Sequence, residues 1–395
     1  MALAAATEAL YGWETCDGGL TYNRPLTNLE RMFVILNNLF YGQNCPYIGA
    51  QVSIQGLLDT SRLCLSDIDL EERAKLAFQG TRWTYPTVAC RIIDDNQMTY
   101  SCGSADDVEA WAERTVHLVK DHDNWVSLRE KLTQEASLPS EDGDCCFVYI
   151  VPTRKGASQN VVAFDVLIHI HHALVDGSGL RSILDSFLAL MAGGSTIESI
   201  YWGQENDRLL PAAIDISTEV EMVSLKSRPD IGLPLYRPDI LTAMKENQGS
   251  SFLTHTFDSD SFLPDLLDRC RKHYVKLTAL LQAALFKAVY DFAESPPTYT
   301  EKYTSLAAID LRNNGRMKQP FGDRNRYPFN AIVSEVIDIP CRLFSSNMDT
   351  SQFWKVAAHI NTQYTAVSKS KGLALISDEI IGRVLEEIGK LRCVV

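Results

Sequence analysis

Residues 168–177 read Ile168-His169-Ile170-His171-His172-Ala173-Leu174-Val175-Asp176-Gly177. The run that leads into them, from Val161 to His171, is apolar with polar interruptions, which predicts a strand over 161–171. Beyond them, Leu180 to Met191 repeats apolar side chains at helical spacing, and Ala192-Gly193-Gly194 supplies the glycines that end a helix. The His pair therefore sits where a strand opens into a loop, just before a helix start. Such junctions are common places for chemistry, because rigid elements on both sides hold the loop. An imidazole near its ordinary pKa of about 6.5 can take a proton at neutral pH. Asp176 can orient the loop by pairing with an arginine, or cap the helix that starts near Ser178. Gly177 lets the backbone turn without a Cβ clash.

On the N-terminal side, spacing predicts a helix over 26–41 with Asn28 as N-cap, then strands at 47–55 and 87–93 with a helix over 68–79 between them. Helices are expected at 106–120 and 122–136, and a short β-rich strand over Cys145 to Pro152. On the C-terminal side, residues 195–250 are rich in Pro, Asp, Glu and Ser with only short apolar runs, which reads as a long crossover. The pattern resumes as a strand (252–257), helices (259–272 and 278–294), a strand (303–311), an irregular stretch (312–330), a strand (331–339) and two helices (350–368 and 376–391). Strands and helices intermix without strict alternation, which makes the fold class α/β, in the form of an α+β sandwich.

Composition narrows the function. The chain has 395 residues, 46% hydrophobic and 22% charged, ordinary values for a globular protein and too apolar for a disordered one. At about 100–200 residues per domain this length fits two or three domains, or two joined halves. The net charge of −13 argues against a nucleic-acid partner. No apolar run reaches the roughly 18–20 residues that span a bilayer. Met1 to Leu10 has no basic n-region and contains Glu8, so no signal peptide is expected. Ten cysteines without a CxxC pair read as reduced thiols of a cytoplasmic protein.

The string His171-His172-Ala173-Leu174-Val175-Asp176-Gly177 resembles the HHxxxDG motif of the condensation-domain, chloramphenicol-acetyltransferase-like superfamily. That superfamily includes peptide-synthetase condensation domains, plant-type BAHD acyltransferases and fungal alcohol O-acetyltransferases. Ile309-Asp310-Leu311-Arg312, followed by Arg316, Pro320 and Gly322, looks like the Asp-x-Arg strand and Pro/Gly loop of its second half. Arg82-Trp83-Thr84-Tyr85-Pro86 looks most like the fungal O-acetyltransferase branch.

The resemblance implies two similar subdomains in a V with a central tunnel: residues 1–194, ending in the motif loop and its helix, and residues 251–395, joined by a crossover over 195–250. It implies an acyltransferase that carries an acyl group from acyl-CoA or an acyl-carrier protein to a hydroxyl or amine of a small, fairly apolar acceptor, without a covalent acyl-enzyme, a metal or a resident cofactor. His172 would be the general base, His171 would hold the loop, and Asp176 would be structural with Arg312 as partner. The backbone at Gly177 would border the reacting carbonyl, with Ser178 a candidate oxyanion donor or helix cap. The BAHD DFGWG motif has no counterpart here, and only 73 residues follow Gly322. The C-terminal subdomain is therefore expected to lack its closing strands, leaving a monomer or a chain that associates through that incomplete half.

Other readings stay open on the sequence. A cyclase or dehydratase could use the same His172, and a non-catalytic homologue could be completed by a partner at exposed edge strands. Asp165, His169 and His171 share one strand face and could hold zinc. The basic cluster Arg312, Arg316, Lys318, Arg324, Arg326 could meet the phosphates of a CoA or phosphopantetheine donor, or could be a solvated loop. Trp83, Trp111, Trp125, Trp202 and Trp354 read as core, and His255 as a tunnel-lining residue.

Overall fold

The computed structural model describes residues 9–54, 65–135, 137–154, 161–193, 200–218, 259–292, 302–312, 315–322, 326–369 and 373–392. The expected strand at 252–257, His255, Arg324 and most of the 195–250 crossover lie outside them.

Three sheets are formed by the described residues. In the first, β1 (Glu14–Cys16), β2 (Thr21–Pro25), β5 (Gln97–Ser101) and β4 (Arg91–Ile93) pair antiparallel in the order β1-β2-β5-β4. The second, in the order β3-β8-β7-β6, carries the motif. It is built of β3 (Tyr47–Ser53), β6 (Val116–Leu118), β7 (Cys146–Arg154) and β8 (Val161–Ile170). The third pairs β9 (Lys302–Asp310) with β10 (Ile332–Pro340), antiparallel from Ile332↔Asp310 to Pro340↔Lys302.

β8 is a nearly continuous apolar run because both of its faces are covered. Val166, Ile168 and Ile170 face the main core together with Phe78 of α2 (Asp67–Thr84) and with Ile183 and Phe187 of α5 (Gly177–Met191). Leu167 packs on the opposite side against Leu128 and Leu132 of α4 (Trp125–Glu135). Gly49 of β3 is the point where α4 presses closest. A Cβ there would stand 2.3 Å from the Trp125 ring. The same main core takes in Leu311, Tyr327, Phe329 and Val333 from late in the chain. A second core joins α6 (Ser259–Lys272), α7 (Leu277–Phe292), β9, β10 and α8 (Thr350–Lys369) through Ala279, Phe286, Ile337, Val356 and Ile360.

The helix starts follow side-chain chemistry. Thr27 and Glu30 form a reciprocal capping box on α1 (Asn28–Leu39), so the N-cap is Thr27 and Asn28 is the first helical residue. Ser66 with Asp69, and Ser104 with Asp107, do the same for α2 and α3 (Ala105–Thr115). Three local expectations are corrected. The segment 87–93 opens as a 3-10 turn at Pro86–Ala89, where proline presets the first φ, and only Arg91–Ile93 is strand. The helix expected to reach residue 120 stops at Thr115, because Val116–Leu118 pairs in parallel with Val148–Ile150. The strands β1, β2 and β5 were not anticipated, since each is short and the sheet that holds them depends on β2 pairing with the sequence-distant β5. The last helix, α9 (Leu373–Arg392), packs on α1.

Candidate active site

β8 ends at Ile170, and the His loop turns directly into α5. His172 is partly exposed. Its Nδ1 lies 2.9 Å from the carbonyl oxygen of Val175. A carbonyl only accepts, so Nδ1 carries the hydrogen in the neutral ring and Nε2 keeps its lone pair. One face of the imidazole is covered by Phe33 of α1, with ring centroids 3.7 Å apart and planes at 8°. Burial holds His172 below the usual imidazole range, against the opposing pull of the backbone carbonyls and the Asp176 carboxylate.

His171 points the other way and is fully buried. Its Nδ1 accepts from the backbone N–H of Ala173 at 3.1 Å, and the His171 backbone N–H donates to Cys145 O at 2.8 Å. Burial, with a smaller contribution from His172, pushes His171 down to about 3. It is a neutral ring that shapes the loop.

Asp176 accepts four hydrogen bonds. Oδ1 caps α5 by accepting from Gly179 N at 2.8 Å, and Oδ2 accepts from Ala331 N at 2.9 Å. Arg312 donates to both oxygens, at 2.9 and 3.2 Å. Capping and arginine pairing, alternatives on the sequence, occur together because one carboxylate has lone pairs for both. Arg312 also donates to Tyr327 O at 2.8 Å, to Asp310 at 3.0 Å and to Phe329 O. Burial disfavours its charge, but Asp176 and Asp310 outweigh that and push its pKa up.

The segment from Tyr327 to Ala331 thus wraps the His loop. Pro328 contributes a close approach, since a Cβ on Gly179 would lie 1.9 Å from its carbonyl oxygen. Asn330 contributes a staple, its Nδ2 donating to His172 O at 2.7 Å and Ala173 O at 2.9 Å. Gly179, Asn330 and Phe33 were missed from the sequence. Phe33 reads there as one apolar position among several on α1, and an isolated Asn in an irregular stretch carries no signal. Only the helix-start glycine pattern hinted at Gly179.

The residues expected at the donor site have partners within the protein. Arg312 and Arg316 are 3% and 5% exposed. Arg316 donates to Val367 O and Ser368 O at 3.3 and 2.6 Å, holding the C-terminal end of α8. Ser178 donates its hydroxyl to Asp310 at 3.2 Å, so in this arrangement its hydrogen is not offered to an oxyanion. Gly177 is exposed at the first position of α5, with open space where a Cβ would stand. The zinc reading of the β8 face finds no support, since no group of three or more His, Cys, Asp or Glu among the described residues is placed to hold a metal. Asp165 instead accepts from Trp125 N at 3.0 Å, and His169 stacks on Tyr47 at 4.0 Å.

A partly exposed histidine with a fixed tautomer sits at a strand end, and its loop is held by buried Asp176 paired with Arg312, which follows β9. The same fold occurs in solved structures of other proteins. The TRI3 trichothecene 15-O-acetyltransferase from Fusarium sporotrichioides superposes with a TM-score of 0.74 at 18% identity, over 98% of this chain and 81% of that one. F. sporotrichioides TRI101, solved with coenzyme A and T-2, gives a TM-score of 0.50 at 10% identity, over 91% and 77%. The EpoB NRPS cyclization-docking bidomain from Sorangium cellulosum gives 0.50 at 12%, over 92% and 68%. The chain shares its fold with these three structures. No protein-family model and no curated protein matches the chain in sequence.

Proposed function

We propose that the protein is an acyltransferase that moves an acyl group from a thioester, acyl-CoA or an acyl-carrier protein, to a hydroxyl or amine of a small, fairly apolar acceptor. The observation that carries this reading is the His172–Val175 contact, which leaves Nε2 as the basic nitrogen on the partly exposed ring. In the proposed reaction Nε2 takes the acceptor proton as its oxygen or nitrogen attacks the thioester carbonyl. The tetrahedral intermediate then expels the thiolate, which recovers that proton from Nε2–H, giving an ester or amide and a free thiol. Burial that keeps His172 neutral at pH 7 supports the role, since only the neutral ring accepts a proton. We assign the developing oxyanion to the first-turn N–H at Gly177, because helix starts leave such donors without intrahelical partners. His171 and Asp176 act by holding the loop.

The fold likeness to TRI3, an O-acetyltransferase by name, and to TRI101, solved with coenzyme A, favours a hydroxyl acceptor and a CoA donor. No helix of the described residues is long and apolar enough to cross a membrane. The described cysteines are free thiols, which favours a reducing compartment, and we propose the cytoplasm. The test is thiol release from acyl-CoA in the presence of a panel of apolar alcohols and amines. Acceptor-dependent release that His172→Ala lowers by about 10²-fold or more supports the reading. Conversion of a substrate with no thioester consumed, or full activity in His172→Ala, overturns it.

A further inference from the structure

We propose that Phe33 is a positioning residue for His172, a flat wall that sets the plane of the imidazole and keeps water off one of its faces. This rests on His172 being the base. One hydrogen bond, from Nδ1 to Val175 O, fixes where the ring is anchored but leaves it free to swing about that axis. Phe33 removes that freedom, because its ring lies 3.7 Å away and within 8° of parallel. A hydrogen bond and a face contact together define a plane, which a single contact cannot.

The wall is itself held in place. Phe33 is 8% exposed and packs in the main core. Its helix is pinned at the N-terminus from two directions. Glu30 pairs with the fully buried Arg24 at 2.7 Å while completing the capping box with Thr27. Asp378 of α9 accepts from Asn28 N at 3.0 Å and from Asn28 Nδ2 at 2.9 Å. Phe33 lies one and a half turns along a helix that cannot slide, so the imidazole plane is referred to the framework rather than to its own loop. A proton-transfer angle set this way is worth a large factor, since displacement of a reacting group by about 1 Å can cost 10²-fold. The titratable neighbours that act on the ring are Asp176 and His171, and neither covers its face as Phe33 does.

The test compares Phe33→Leu, which keeps an apolar side chain but loses the flat face, with Phe33→Tyr, which keeps the ring. The first readout is the His172 imidazole titration by NMR on histidine-labelled protein, assigned with His172→Gln. Wild type should titrate below 6.5, Phe33→Leu should move up toward 6.5, and Phe33→Tyr should stay with wild type. The second is acyl transfer: Phe33→Leu should lower kcat about 10–100-fold with KM for the thioester changed less than about twofold, and Phe33→Tyr should restore most of it. If Phe33→Leu fails to fold, Phe33→Met takes its place. An unmoved titration in the Leu or Met variant overturns the proposal, as does equal damage by Leu and Tyr. The titration needs no turnover. A shifted titration in a protein without acyltransferase activity keeps Phe33 as the wall and removes the functional reading alone.

Discussion

Removing the Asp176 carboxylate should cost far more stability than a helix cap. In the native protein it satisfies four donors, two from Arg312 and one each from Gly179 and Ala331. The two side chains are 0% and 2% exposed, so water cannot substitute. Breaking a buried pair from one side costs about 3–5 kcal/mol, because the other charge is left uncompensated. Here the lower end applies, since Arg312 keeps Asp310 and two carbonyls. Loss of the cap adds about 1 kcal/mol, and the orphaned Ala331 N–H about 1–2. These effects share one carboxylate and do not add fully, so Asp176→Ala should lose about 4 kcal/mol. Against a typical stability of about 5–15 kcal/mol, that brings the variant close to unfolding. Equilibrium urea unfolding followed by tryptophan fluorescence reads the difference. The double variant Asp176→Ala/Arg312→Met removes both charges and should cost less than the two single losses summed, with a coupling of at least about 2 kcal/mol. A cost below about 1 kcal/mol for Asp176→Ala, or strict additivity in the double variant, would refute the argument.

Three further outcomes are expected. Burial pushes His169 and His171 from 6.5 down to about 3, so the unfolded chain binds more protons between those values. The stability they contribute is complete above pH 6.5 and is lost as pH falls toward 3, about 2 kcal/mol per ring by pH 5. His169→Phe, which preserves the stack on Tyr47, should therefore lose about 2 kcal/mol less than wild type between pH 7 and 5, and identical pH slopes would exclude the effect. Gly179→Ala should destabilise by about 1–3 kcal/mol or more in thermal melts and loosen the Tyr327–Ala331 wrap, because its Cβ would collide with Pro328 O; an unchanged Tm would show that the wrap gives way freely. In native protein at pH 8, a thiol reagent should modify the partly exposed Cys16 and Cys341 well before Cys45 and Cys90, whose thiols burial pushes up to about 12. Equal rates at all four, resolved by peptide mapping, would contradict the burial described.

Much of the site was legible because it is local. The HHxxxDG string places two imidazoles, a carboxylate and a glycine within seven residues, and the apolar periods on either side set the strand and the helix. The Asp176–Arg312 pairing was implied by resemblance to a family pattern, since nothing in residue spacing ties positions 136 apart. Phe33 and Asn330 were not legible at all. Each is ordinary for its element, and each gains its role only from what the chain brings against it. The basic stretch near Arg312 is the complementary case. Its charges look exposed in one dimension, while in three Arg312 and Arg316 turn inward to carboxylates and carbonyls.

The sequence by itself determined the helix starts, the β8–loop–α5 junction and the tautomer-setting loop around His172, because hydrogen bonds over two to four residues decide them. Only the tertiary structure decided that β6 is strand, that Arg312 and Arg316 are buried, and that His172 is held flat against Phe33. Those outcomes depend on which distant surfaces exclude water from one another, and burial of that kind is a property of the packed chain rather than of any stretch of it.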